Sequence, residues 1–179
     1  IPTKNQAALL RRCVRSLEKT LPTGLKTSIV IIDHESSDAE TLTLLAELGQ
    51  RHTVLPYSGS FNYAAINNFG VRHGAGDAEF ILYCNNDIEA VEDGWMATLL
   101  GKRQDAKVGA VGPLLLYPDG ESVQHAGVGV GLGGVAEHLG KFMTIRDADG
   151  TPCKGYQGML SVTREVAAIT TGFALFRRQ

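Results

Sequence analysis

The feature that most constrains this chain is an alternation. Through the first 112 residues, short β-branched or aliphatic runs alternate with segments of helical periodicity. Leu9, Leu10, Val14, Leu17 and Leu21 recur at helical spacing, with Arg11, Arg12, Arg15 and Lys19 opposite. That pattern predicts a helix over residues 7–21, ended by Pro22 and Gly24. Ser28 to Ile32 reads as a buried strand closed by Asp33. Ser36, Ser37 and Asp38 offer capping chemistry for a second helix running to about Leu48. A short strand at 53–55, a helix at 62–73 and a buried strand at 79–84 follow, the last closed by Asn85-Asn86-Asp87. A helix around 93–100 and a strand at 108–111 complete the series. Such alternation implies right-handed crossovers and a mostly parallel sheet flanked by helices. An upstream strand feeding Ile1 and Pro2 would complete it.

Beyond Pro113 the texture changes. Residues 114–117, 123–130 and 168–176 read as strands with glycine-rich turns. Residues 141–166 are polar and irregular, the pattern of a long, partly mobile loop. The chain opens on Ile1-Pro2-Thr3 without a Met or signal core, and stops at Arg177-Arg178-Gln179 after an apolar run. It therefore reads as one domain of 179 residues, a fragment truncated at both ends. Seventeen Lys and Arg against nineteen Asp and Glu give a charge of -2, with no basic excess for a phosphate backbone; nucleic acid is not an expected partner. Cys13, Cys84 and Cys153 are an odd set without a C-x-x-C pair, which argues against a disulfide framework or thiolate zinc and suits a reducing, cytoplasmic setting. No apolar stretch reaches the roughly 18–20 residues of a membrane span.

In an open parallel sheet, ligands bind beyond the carboxyl ends of the strands. Three polar clusters fall there: Pro2-Thr3-Lys4-Asn5, Asp33 to Asp38, and Asn85-Asn86-Asp87. Any one of them could be turn and cap chemistry. Three on one sheet edge form a candidate site. Asp87, a carboxylate among amides with no thiol or His nearby, suits a hard cation such as Mg²⁺ or Mn²⁺, with diphosphate and water completing the coordination. The alternative is that Asp87 caps its turn. Gly129 to Gly134 matches G-x-G-x-x-G but comes late, after the parallel series, so a turn is expected there. His125 and His138 flank that run and could line a pocket. Trp95 is expected as a core or sheet-covering residue, and the stripe Phe61, Tyr63, Ile66, Phe69 mostly in the core.

The order Ile1-Pro2-Thr3-Lys4-Asn5, then Ile31 to Asp38, then Asn85-Asn86-Asp87 resembles glycosyltransferase family 2, with the GT-A fold, a Rossmann-like α/β sheet. Phe61 to Asn68, Leu115 to Gly120 and Gln124 to Val128 are similar to its bacterial surface-polysaccharide members, rhamnosyltransferases and O-antigen transferases among them. The resemblance implies a nucleotide-binding half at 1–112 and an incomplete acceptor-side half at 113–179. It implies nucleotide contacts at Pro2, Thr3, Lys4, Asp33, Asn68, Asn86 and Asp87, with Asp33 reading the base and Asp87 holding Mg²⁺ or Mn²⁺. Asn85 stands where the family's Asp-x-Asp motif has its first acid. His125 and His138 fall on the sugar or acceptor side. The general base is expected in an acidic pair beyond Gln179, so the fragment is expected to be inactive; Glu137 and Asp147 match no motif.

The implied activity is inverting transfer of a hexosyl or rhamnosyl group from a nucleotide-diphosphate sugar to a glycan or lipid-linked acceptor in envelope polysaccharide synthesis. The parent protein would work at the inner face of the membrane, with peripheral association. The competing readings are a nucleotide-sugar binding module without activity and a nicotinamide-dependent oxidoreductase using the glycine run.

Overall fold

The computed structural model describes residues 1–179 except Gln104, Ala106 and Gln179. β1 (Pro2–Thr3), β2 (Val30–Asp33) and β3 (Thr53–Pro56) form a parallel ladder in that order. α1 (Ala7–Thr20) and α2 (Ala39–Leu48) are the crossovers between them. α3 (Tyr63–Gly74) leads into β4 (Phe80–Cys84), and α4 (Trp95–Arg103) into β5 (Ala110–Val111). Then come β6 (Leu115–Leu116), β7 (Val123–His125), β8 (Val128–Val130), β9 (Ala136–His138) and β10 (Phe173–Arg177).

β1, β2 and β3 form a parallel sheet, and β4, β10 and β5 form a second, antiparallel one. β10 inserts between β4 and β5 and runs against both, pairing Phe173 with Cys84 and Leu175 with Val111. The expected run over 168–176 shortens accordingly, because its first five residues are spent on the approach to the ladder. The single strand expected over 123–130 is broken in two. Gly127 sits at φ +105, a conformation that only glycine takes without strain, and it ends β7 before β8 begins. β8 then turns back into β9 as a hairpin. Residues 141–166 have irregular backbone with one 3₁₀ turn at Tyr156–Gly158.

α1 joins two cores. Ala7, Leu10 and Val14 pack with Ile31, Leu44, Leu45 and Leu48. Cys13 and Leu17 pack with Cys84, Leu99, Leu115, Phe173 and Leu175. Each fully buried aliphatic side chain contributes about 1.5–3 kcal/mol. Trp95 takes the expected covering role: its indole N–H donates to Thr20 Oγ1 at 2.8 Å and its ring meets Phe173 edge-on.

α3 lies close against β2. A Cβ on Gly70 would come within 2.7 Å of Ile32 Cδ1, and one on Gly74 within 2.5 Å of Val30 Cγ1. Ile66 and Asn67 share that buried face. The expected core stripe is therefore mostly not core. Ile66 is buried, Tyr63 and Phe69 are half-buried, and Phe61 is 74% exposed. The reason is the cap: Asn62 accepts from Ala65 N–H and begins the helix after Phe61, so that ring is never carried onto the packed face.

Candidate functional site

The loops after β1 and β2 are laced together by side chains. Asn5 N–H donates to Ser36 Oγ at 2.7 Å, and Asn5 Oδ1 accepts from Ser37 N–H at 2.8 Å and Asp38 N–H at 3.2 Å. Asn5, Gln6 and Glu35 all hold left-handed backbone at φ 57, 63 and 55. Such strain persists only where the surroundings over-determine it. Asp38 does cap α2, accepting from Thr41 N–H at 2.8 Å. Asp33 accepts from Ser36 N–H at 3.1 Å through Oδ1. His34 is buried, with Nε2 2.7 Å from the Gly59 carbonyl oxygen and its ring edge-on to Tyr57.

The loop after β4 is tied to the same edge. Asn86 Nδ2 donates to Thr3 Oγ1 at 3.1 Å, and Thr3 Oγ1 donates to the Asn5 carbonyl at 3.2 Å. Asn85 N–H donates to the Gly172 carbonyl at 2.8 Å, and Tyr63 Oη lies 2.9 Å from Asn85 Oδ1. The thiols of Cys13 and Cys84 lie 3.7 Å apart, at 3.5 and 3.3 Å from the Asn85 carbonyl oxygen. The Asn85–Ile88 turn is closed by backbone, Ile88 N–H to the Asn85 carbonyl at 3.4 Å. The Asp87 carboxylate is exposed and accepts no hydrogen bond among the described residues. The turn-cap alternative for Asp87 finds no bond to support it.

The structure thus gathers Thr3, Asn5, Asp33, Asn86 and Asp87 on one edge, with Pro2 in β1 and Lys4 exposed in the first loop. Asn68 is exposed on α3, one position past the buried Asn67, whose amide donates to the Tyr63 carbonyl at 2.9 Å. No hydrogen bond joins Asn68 to the other residues among those described. His125 is not at an open surface. Its ring is 2% exposed, packs edge-on to His138 at 4.8 Å, and accepts the Thr170 N–H on Nε2 at 3.3 Å. Burial, with the neighbouring His138 adding to it, pushes its pKa down to about 4. His138 Nδ1 is 3.1 Å from the Gln124 carbonyl oxygen. His125 holds the Thr170 N–H, and Thr170 Oγ1 in turn accepts from Gly172 N–H at 3.2 Å.

Among the described residues, no group of three or more His, Cys, Asp and Glu is gathered to hold a metal. Of the gathered residues Thr3, Asn5, Asp33, Asn86 and Asp87, Asp87 carries the carboxylate that accepts no hydrogen bond from the described residues. That donor set fits a hard cation whose other ligands are phosphate and water, and does not fit a protein-caged ion. Gly129 to Gly134 forms the β8 end and the tip of the β8–β9 hairpin, with Gly131, Gly133 and Gly134 at positive φ. It does not open a helix, so the dinucleotide motif lacks its required context. A cavity of about 640 Å³ lies elsewhere, between β2 and β4, lined by Ile29, Val30, Val71, Ile81 and Leu82. No described helix is long and apolar enough to cross a membrane.

Sheets, crossovers and flanking helices form an α/β fold of the GT-A type. The mannosyltransferase PcManGT from Pyrobaculum calidifontis, solved in complex with GDP-Man and Mn²⁺, shares the fold with a TM-score of 0.51 at 21% identity, over 66% of this chain and 34% of its own. The glycosyl transferase family 2 profile matches residues 1–179, and the chain belongs to that family. Two curated relatives match over the whole of this chain. One is the O-antigen biosynthesis protein RfbC of Myxococcus xanthus, 34% identical. The other is the uncharacterized protein y4gI of Sinorhizobium fredii, 32% identical. The chain spans 13% and 19% of their lengths.

Proposed function

We propose that the chain binds a nucleotide-diphosphate sugar and contributes to inverting transfer of its sugar, a hexosyl or rhamnosyl group, to a glycan or lipid-linked acceptor during surface-polysaccharide synthesis. The observation that carries this reading is the free Asp87 carboxylate at the meeting point of three interlocked strand-end loops. Family membership and the likeness to an O-antigen biosynthesis protein support it. So does the fold shared with a mannosyltransferase solved with GDP-Man and Mn²⁺.

Asp87 would hold Mg²⁺ or Mn²⁺ beside the donor diphosphate. When bound, the ion supplies charge relief to the departing nucleotide. Pro2, Thr3, Lys4 and Asn86 bound the diphosphate edge. Thr3 and Asn86 do so by fixing backbone, since their side chains bond each other. Asp33 keeps one carboxylate oxygen for the base while the other holds its loop. Asn68 serves the nucleotide from α3, and the His125–His138 unit supports the acceptor side. No carboxylate among the described residues is assigned as general base. The work would be done at the cytoplasmic face of the membrane by a peripherally associated protein.

Two variants test the assignment. Asp87→Ala removes the Mn²⁺-dependent gain in nucleoside diphosphate affinity, about a hundredfold, with the melting temperature nearly unchanged. A retained Mn²⁺ response contradicts the metal assignment. Asp33→Ala weakens nucleoside monophosphate binding as well, since its contact is to the base. Loss confined to diphosphates places Asp33 wrongly.

A further inference from the structure

The Tyr63 hydroxyl faces two acceptors. It lies 2.9 Å from Asn85 Oδ1 and 3.0 Å from the Thr171 carbonyl oxygen. A phenol has one proton to give, so two carbonyl oxygens cannot both be satisfied by it. An Asn amide can turn over, exchanging its oxygen and nitrogen at nearly no cost in shape. With the Asn85 amide turned, its N–H donates to Tyr63 Oη, and Tyr63 donates to the Thr171 carbonyl. The Tyr63 hydroxyl then both donates and accepts, and the Thr171 carbonyl keeps its partner. We propose that Tyr63 and Asn85 form a positioning node that aims the Asp87 turn, and that the node needs an amide at position 85 and not an acid.

The node joins three distant pieces of chain: the first turn of α3, the loop after β4 and the approach to β10. Residue 85 is held at each of its polar groups. Its N–H donates to the Gly172 carbonyl, its carbonyl receives the Cys13 and Cys84 thiols, and its side chain meets Tyr63. Burial raises the pKa of Tyr63, which keeps the phenol protonated and able to donate. Asp87 lies two residues on, past Asn86, whose amide is anchored on Thr3. Fixing Asn85 and Asn86 therefore fixes the backbone that carries Asp87. An Asp at position 85 would present acceptors only. It would take the Tyr63 proton for itself and leave the Thr171 carbonyl without its partner. In the family's Asp-x-Asp motif an acid stands here, so Asn85 looks like a lost metal ligand. On this geometry it is instead the residue that lets a single carboxylate be held in place.

The inference rests on Asp87 being the metal carboxylate, and the test separates the two. Nucleoside diphosphate affinity, with and without Mn²⁺, is measured by calorimetry for the wild-type chain, Tyr63→Phe, Asn85→Asp and the double variant. Amide hydrogen exchange at Asn85 and its neighbours is followed in the metal-free proteins. The expected result is a loss of about tenfold in the Mn²⁺-dependent gain for each single variant, the scale of groups that orient a ligand. The double variant is no worse than the weaker single one, as for two members of one network. Exchange at Asn85 quickens in both. Tighter Mn²⁺-dependent binding by Asn85→Asp overturns the node and makes position 85 an unused ligand. Where the wild type responds to Mn²⁺, an unchanged response in Tyr63→Phe also overturns it, as does unchanged exchange in any case. Faster exchange in a chain whose wild type shows no Mn²⁺ response upholds the node and refutes the functional reading beneath it.

Discussion

The loops after β1 and β2 are fastened by side chains reaching to nearby backbone: Asn5 to Ser37 and Asp38, Asp33 to Ser36, Asp38 to Thr41. Strands β6 to β9 are fastened differently, by ladders of two or three residues and by glycines at positive φ. The first region rests on a broad core shared by two helices and the sheet. The second has Leu115, Val123 and His125 as its buried side chains, among the described residues. The difference is one of leverage. A strand-end loop on a packed sheet can hold a carboxylate at a fixed point. A short-laddered region depends on a few buried groups, and one of these is a histidine.

The largest expected effect tests that dependence. His125→Ala removes a buried ring and the acceptor for Thr170 N–H, and costs about 3 kcal/mol in urea unfolding. A loss below about 0.5 kcal/mol would mean that the second region does not rely on it. The same ring makes stability fall with acid. Its folded pKa of about 4 lies below the unfolded value near 6.5, so the unfolded chain binds more protons between them. Stability from this group is complete above about pH 6.5 and is lost as pH falls toward 4. His125→Gln flattens that dependence; an identical pH curve in the variant contradicts the assignment.

Gly70→Ala probes the first region. The added methyl would meet Ile32 at 2.7 Å, and overpacking of this kind costs about 2 kcal/mol. Stabilisation instead, from the better helix propensity of Ala, would show α3 to sit more loosely than described. The smallest effect is Asp38→Ala, which removes the α2 cap for about 1 kcal/mol. A cost near zero would indicate that Asn5 and Asp33 suffice to hold the second loop.

Much of the first region is legible in the sequence. The helical spacing of Leu10, Val14 and Leu17 and the β-branched run before Asp33 need only local rules. The insertion of β10 is not legible, because pairing Phe173 with Cys84 depends on partners far apart in the chain. Gly127 hints at the break between β7 and β8, but periodicity alone carries one strand through it. In the site, the three strand-end clusters are visible as polar punctuation. Tyr63 is not, since its spacing with Ile66 imitates a core stripe. The usable signal is its place at the first helical position after an Asn cap, which puts it on the strand-end edge. Asn67 and Asn68 show the limit of reading a helix by motif: one residue turns a side chain by about 100°, from packed to exposed.

The edge built by Thr3, Asp33 and Asp87 is proposed as a metal-assisted nucleoside diphosphate site. Calorimetric titration with UDP, dTDP, GDP and NAD, each with and without Mn²⁺, tests it most directly. One nucleoside diphosphate is expected to bind, and to bind more tightly with Mn²⁺. Tight NAD binding indifferent to Mn²⁺, or no Mn²⁺ response with any diphosphate, would contradict it.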